Sequence, residues 1–172
     1  MTAILETPRL RLRELQLDDA AFILDLVNQP SWLRNIGDKG VRTLADAENY
    51  IRTGPMAMYA RHGFGLYRLE LRDSGVAIGM CGLIKRDALD DVDVGYALHP
   101  DYWRQGYASE AVSATLAWGH ARFGLQRIVA IVSPHNDESI RVLERAGFAF
   151  EKMIQMSPDA EPIKFFGRNF AD

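Results

Sequence analysis

This chain is poor in the residues that build covalent or metal-held structure. Cys81 is the single cysteine in 172 residues, which excludes an intrachain disulfide and a cysteine-based zinc site. The four histidines are scattered without ligand spacing, so no metal is expected. No apolar run approaches the length needed to span a bilayer, and the polar start Met1–Pro8 does not read as a signal peptide. These absences point to the cytoplasm and to no membrane partner. Positive charge is not in excess: 20 Lys and Arg stand against 23 Asp and Glu, a net charge of −3. A nucleic acid is therefore not expected as the main partner. Repeats, low-complexity tracts and linkers are also missing. With 48% hydrophobic residues, the whole of 1–172 reads as one domain with a buried core.

Hydrophobic periodicity supplies the elements. Arg9 to Leu15 alternates as a half-buried strand, and Asp18-Asp19 open a helix reaching about Val27. Pro30 to Gly40 reads as irregular. Thr43-Leu44-Ala45-Asp46 resembles a capping box for a helix through Ile51. Phe64–Leu71 and Val76–Ile84 are strands joined by the turn Arg72-Asp73-Ser74-Gly75, and Asp91–Leu98 is the next strand. A helix from Gly106 to Phe123 follows, then the continuous apolar run Ile128–Val132, a helix from Asp137 to Ala146 and two late strands, 148–155 and 163–169. The predicted architecture is a mixed α/β sheet, mostly antiparallel, with a single parallel βαβ crossover.

One segment carries chemistry. Between the strand ending at Leu98 and the helix starting near Gly106 lies a short polar loop. A helix start offers unpaired N–H groups and partial positive charge, and a glycine there lets a phosphate approach the backbone. A pyrophosphate is the natural ligand for such a turn. A glycine at a strand-to-helix junction is on its own more often just a turn. A second segment, Asn136-Asp137-Glu138-Ser139 running to Gly147-Phe148, changes that balance.

Together the two segments resemble the GNAT superfamily of N-acetyltransferases. Trp103-Arg104-Gln105-Gly106-Tyr107-Ala108 matches the family's acetyl-CoA motif at the Gly and Ala positions, with Trp103 departing at the first. The continuation Gly106-Tyr107-Ala108-Ser109-Glu110-Ala111 is similar to the branch containing the ribosomal-protein serine and alanine N-acetyltransferases. Thr7-Pro8-Arg9-Leu10 and Ile78 through Leu83 extend the likeness over nearly the whole chain.

The resemblance implies acetyl-CoA as co-substrate, without a metal, and direct transfer to a primary amine in a ternary complex. It implies pantetheine along the strand at Tyr96, Ala97 and Leu98, and the pyrophosphate on Arg104, Gln105, Gly106, Tyr107, Ala108 and Ser109. Asn136 is implied as a pantetheine contact, with helix capping as the bland reading. Asp93 fits the acidic position before Gly-Tyr and is the candidate base. Asp91, Gly95 and Ala97 share its strand face, which reads as an acidic surface suited to an ammonium. Leu143 occupies the slot where many relatives carry a tyrosine acid, and Ser139, one turn earlier, is the candidate partner of the leaving thiolate. Trp32 and Asn35, with Asp91, are the expected acceptor-binding residues. A non-catalytic acyl-CoA sensor of the same fold stays open as the alternative, as do monomer and homodimer. The acceptor, a protein N-terminus or a small amine, is not legible.

Overall fold

Eight strands pair into one open sheet in the computed structural model, which describes residues 2–170. In chain order the strands are β1 (Ala3–Glu6), β2 (Leu10–Glu14), β3 (Leu66–Leu71), β4 (Ala77–Ile84), β5 (Asp93–Leu98), β6 (Arg127–Val132), β7 (Ala149–Ile154) and β8 (Ile163–Asn169). The helices are α1 (Ala20–Leu26), α2 (Pro30–Asn35), α3 (Leu44–Ile51), α4 (Ala57–His62), α5 (Tyr107–Phe123) and α6 (Asp137–Arg145). The strand order is β1-β2-β3-β4-β5-β6-β8-β7. Every neighbouring pair is antiparallel except β5 and β6, which are joined by the crossover through α5. The predicted mixed sheet with one parallel crossover is what the chain adopts.

Three elements escaped the sequence reading: β1, α2 and α4, the last lying between the helix read through Ile51 and the strand read from Phe64. β1 is short, and its register with β2 is irregular between Ala3 and Leu5. The stretch read as irregular holds α2, which starts at Pro30. Proline has no N–H to lose at a first helical position. The strand expected from Asp91 begins instead at Asp93, which leaves Asp91 outside the alternation.

The sheet separates two apolar layers. On one face Val94, Leu98, Val112, Leu116, Ile128, Leu143 and Phe166 pack with α5 and α6. On the other, Leu15, Ile23, Leu26, Trp32, Ile51 and Met80 pack with α1–α3. β4 lies in the middle and is almost wholly buried. A Cβ added at Gly82 would lie 1.9 Å from the carbonyl oxygen of Gly65, so backbone fills the space a side chain would need.

Polar contacts fix the edges of these layers. Asp19 is buried and receives Arg13 and Arg68, at 3.0 and 2.7 Å, tying the start of α1 to β2 and β3. Glu110, in the first turn of α5, accepts from the Thr7 hydroxyl at 2.5 Å and from the Arg9 backbone and Nε at 3.0 and 2.8 Å. Arg9 also donates to the Gln105 carbonyl at 2.8 Å and lies over the Tyr107 ring. The Thr7-Pro8-Arg9 segment thereby holds the loop that precedes α5.

Two outcomes follow for stability. Gly82→Ala should lower the free energy of unfolding by on the order of 3 kcal/mol, read as a lower urea midpoint with unchanged slope. A variant with the wild-type midpoint would mean that β3 and β4 separate freely. For Glu110, burial pulls the carboxyl upward, but the hydrogen bonds from Thr7 and Arg9 outweigh it and hold the group below its ordinary value of 4.5. A depressed carboxyl contributes stability above its unfolded value and loses it as pH falls through the folded one. Glu110→Gln should therefore lower Tm by on the order of 5 °C at pH 7, and the deficit should close in acid. A deficit equal at pH 7 and pH 3 would show that the charge plays no part.

Candidate functional site

β5 and β6 are in register at one pair only, Asp93 with Val129, and then part. Beyond that point the β6-facing edge of β5 is left to the cleft, from Val94 to Leu98. A cleft of about 1320 Å³ opens there, lined by residues of β5, the loop before α5, the end of β6, the start of α6, and α2 with its following loop. Because it passes through the sheet, it is reached by side chains from both faces.

The loop before α5 has the backbone shape that the motif suggested. Gly106 takes φ +82° at the N-cap of α5, and Arg104 takes φ +61°. Arg104 is the one non-glycine residue with positive φ among the described residues, so local strain is concentrated at this turn. A Cβ at Gly106 would meet Arg9 Nη2 at 3.2 Å. Glycine is needed there for the turn and also for packing against Arg9. The N–H groups of the first turn of a 17-residue helix face the cleft entrance, where Arg104, Gly106, Tyr107, Ala108 and Ser109 all form part of the wall. Gln105 does not line it; its carbonyl is taken by Arg9 and its side chain reaches back to Asp101. Arg141 and Arg145 of α6 also line the cleft, with no carboxylate partner among the described residues.

Beside this loop, which Arg104 ties to Glu138 of α6 at 3.1 Å, stands an arrangement that spacing alone did not reveal. The Tyr96 hydroxyl lies 2.5 Å from Ser139 Oγ and 3.1 Å from the Ser139 carbonyl oxygen. Burial holds the Tyr96 hydroxyl well above its usual value, against the hydrogen bond with Ser139, so it stays protonated near neutral pH. Tyr96 was singled out for its backbone; its side chain is what contacts Ser139. Ser139 itself is not the helix cap. Asn136 Oδ1 accepts from the Ser139 backbone N–H at 3.2 Å, so Asn136 caps α6 while it also lines the cleft. Leu143 is fully buried in the core and does not reach the cleft wall.

The acidic surface expected on β5 is not formed. Asp93 shares a face with Gly95 and Ala97 as the strand period requires, but it is only 1% exposed and is covered by Arg86, whose Nε lies 3.2 Å from Oδ1. Burial pushes its carboxyl up to about 6, opposed by the charges of Arg86 and Lys85. Asp91 is elsewhere altogether. It pairs with Arg127 at 3.2 Å and lines a separate, smaller cavity with Glu151 and Phe165. The reason is the irregular backbone before Asp93, which breaks the two-residue alternation.

Trp32 and Asn35 both line the cleft, brought there by α2. Trp32 is buried, and its Nε1 has no acceptor among the described residues. Sequence reasoning missed Lys39, Tyr50 and Arg86, which line the same wall. Only the position of Arg86, shortly before β5, hinted at its role. Cys81 is core: burial pushes its thiol up to about 12, and its neighbour is Thr115 Oγ1. Tyr59 is also structural, stacked on Tyr67 with its hydroxyl bonded to Leu15 and Leu66. Among the described residues no cluster of His, Cys, Asp or Glu is arranged to hold a metal ion, and no helix is long and apolar enough to cross a membrane.

Comparisons with known proteins agree with this geometry. The acetyltransferase (GNAT) domain family matches residues 9–149. The uncharacterized N-acetyltransferase YoaA of Bacillus subtilis (strain 168) is 30% identical over 157 residues, covering 90% of this chain and 88% of that protein. The uncharacterized N-acetyltransferase p20 of Bacillus licheniformis is 26% identical, with 88% and 85% covered. Among solved structures, an acetyltransferase from Agrobacterium tumefaciens str. C58 superposes with a TM-score of 0.81 at 25% identity, covering 99% of this chain and 95% of that one. RimL, a ribosomal α-N-protein acetyltransferase in complex with coenzyme A, gives 0.83 at 18% identity, with 98% of each chain covered. With the parted strands, the left-handed turn and the capped α6 in place, the chain belongs to the GNAT family of acetyltransferases.

Proposed function

We propose that this chain transfers an acetyl group from acetyl-CoA to a primary amine, directly, in a ternary complex. The observation that carries the reading is the Tyr96–Ser139 hydroxyl pair in the same cleft as the turn at Gly106. The residues present fit acetyl-CoA. The free edge of β5 suits an extended chain of amides, and the left-handed turn presents N–H groups to a pyrophosphate. Arg104, Arg141 and Arg145 supply positive charge for phosphates. When bound, acetyl-CoA supplies an activated acyl group on a thiol leaving group. The RimL neighbour holds coenzyme A, which supports the same use of this cleft.

Acetyl transfer forms a C–N bond and breaks a C–S bond, so one proton must leave the amine and one must reach the sulfur. Ser139 Oγ, supported by the protonated Tyr96, donates a hydrogen bond that stabilises the leaving thiolate, which takes its proton from solvent. Its place in the first turn of α6 adds the favourable helix dipole. Asp93 receives the amine proton through a bridging water, because Arg86 covers the carboxylate from direct approach. A group that titrates near 6 is well matched to proton transfer near neutrality.

Thiol release from acetyl-CoA in the presence of amines tests the reading. Ser139→Ala should lower kcat about a hundredfold, corresponding to about 2–4 kcal/mol in the transition state. Tyr96→Phe should lower it by a smaller factor, because Ser139 remains. Since Asn136 caps α6, neither substitution removes the cap. A wild-type kcat in Ser139→Ala would take Ser139 out of the reaction.

The pH dependence tests Asp93. Its raised pKa means that the carboxylate forms only above about 6. kcat/KM should therefore fall as pH drops through that value, and Asp93→Asn should remove this limb and leave a low, flat profile. A limb that persists in Asp93→Asn belongs to another group.

A further inference from the structure

The wall of the cleft formed by α2, α3 and β3–β5 carries hydrogen-bond donors and cations rather than the acidic surface expected there. Arg86 is held by its Nε on Asp93, and neither terminal nitrogen has a partner among the described residues. Desolvation, joined by the charge of the nearby Arg86, holds the Lys39 ammonium below its ordinary value, and both residues line the cleft. It has no carboxylate partner among the described residues. The Tyr50 side chain is near enough to feel the same Arg86 charge, and it lines the cleft. The buried Trp32 Nε1 on this wall lacks an acceptor among the described residues. Arg34 adds a further cation at the rim. The acidic residues lining the cleft are Asp93, already covered by Arg86, the exposed Glu161 on the β7–β8 connection, and Asp137 and Glu138 at the start of α6, away from this wall, of which Glu138 pairs with Arg104.

Two neighbouring cations with unused donors repel each other and attract an anion of matching geometry. A guanidinium fixed at Nε presents its two terminal nitrogens as a fork suited to a carboxylate or phosphoryl group. A polyamine would meet the same cations as repulsion, and like charges brought together cost binding energy.

We propose that the acceptor is an amine carrying an anionic group, a carboxylate or phosphate, received by Arg86 and Lys39 while the amine points toward the parted strands. This rests on the acetyl-transfer reading for the amine, whereas the anion site stands on Arg86 and Lys39 alone. Asp93 then serves a second end by orienting Arg86.

Matched acceptors test the assignment: 3-aminopropanoate against its amide, phosphoethanolamine against ethanolamine, and spermidine as a polycation. Thiol release should favour the anionic member of each pair at least tenfold in kcat/KM, with spermidine the poorest. The carboxylate and phosphate arms identify which anion fits. Lys39→Gln, a change at an exposed residue, and Arg86→Gln should each raise KM for the anionic member and move the ratio of the pair toward one. Preference for the neutral amide, for ethanolamine or for spermidine would overturn the proposal, as would variants that slow both members equally.

A binding arm separates the two readings. Calorimetric titration of 3-aminopropanoate and of phosphoethanolamine into the protein with saturating coenzyme A reports the anion site without turnover. Heat for one of them that is lost in Lys39→Gln and Arg86→Gln supports the anion site even if no acetyl group is transferred. Absence of heat for both, or heat retained in both variants, overturns it even if acetyl transfer to other amines is seen.

Discussion

The parting of β5 from β6 after one registered pair is the constraint on which the rest of this molecule depends. A parallel pair that stayed in register would close the sheet and bury the edge that the cleft now exposes. The crossover helix α5 keeps the strands on either side of the gap and brings its own N-terminus to the rim. It lies close to the sheet because its inner stripe is small: a Cβ at Gly119 would lie 2.8 Å from Leu83 Cδ1. Thr7, Arg9 and Glu110 then anchor the first turn of α5 to the β1–β2 edge, a hundred residues away in sequence. Buried charge at Asp19 does the same for α1 and the wall that follows it.

The gap is chemically two-sided. Toward α5 and α6 it offers backbone N–H groups at a helix start, three arginines and the Tyr96–Ser139 pair. Toward α2 and α3 it offers Arg86, Lys39, Tyr50 and Trp32 around a covered carboxylate. Tyr96 and Asp93 lie on the same strand but on opposite faces, as their odd separation requires. One strand thus presents a hydroxyl toward Ser139 of α6 and, on its other face, a carboxylate toward Arg86. Burial sets both protonation states: it keeps the tyrosine neutral and brings the aspartate near 6.

Several features were legible from short stretches because they depend on local backbone preference. The turn at Gly106, the capping box at Thr43 and the crossover between β5 and β6 each involve residues close in sequence, and Asn136 takes the capping role that the sequence offered only as its bland alternative. α2 was missed because proline usually marks a break, although at a first helical position it costs nothing. The acidic face failed at Asp91 because alternation holds only within a strand, and β5 begins at Asp93.

By itself the sequence determined the order of most elements, the mixed sheet, the glycine turn before α5 and the likeness to its family. The first three follow from period and turn chemistry over a few residues, whereas the likeness rests on matched motifs along nearly the whole chain. The tertiary structure alone decided which side chains meet: Tyr96 with Ser139, Arg9 with Glu110, Arg86 over Asp93, and Asp91 with Arg127 in another cavity. It also decided the charge of the cleft wall toward α2 and α3, by covering one carboxylate with a guanidinium and leaving a lysine on the same wall. Such pairings join residues on separate elements, and a carboxylate's exposure depends on what folds over it. Neither is encoded in the period of its own strand.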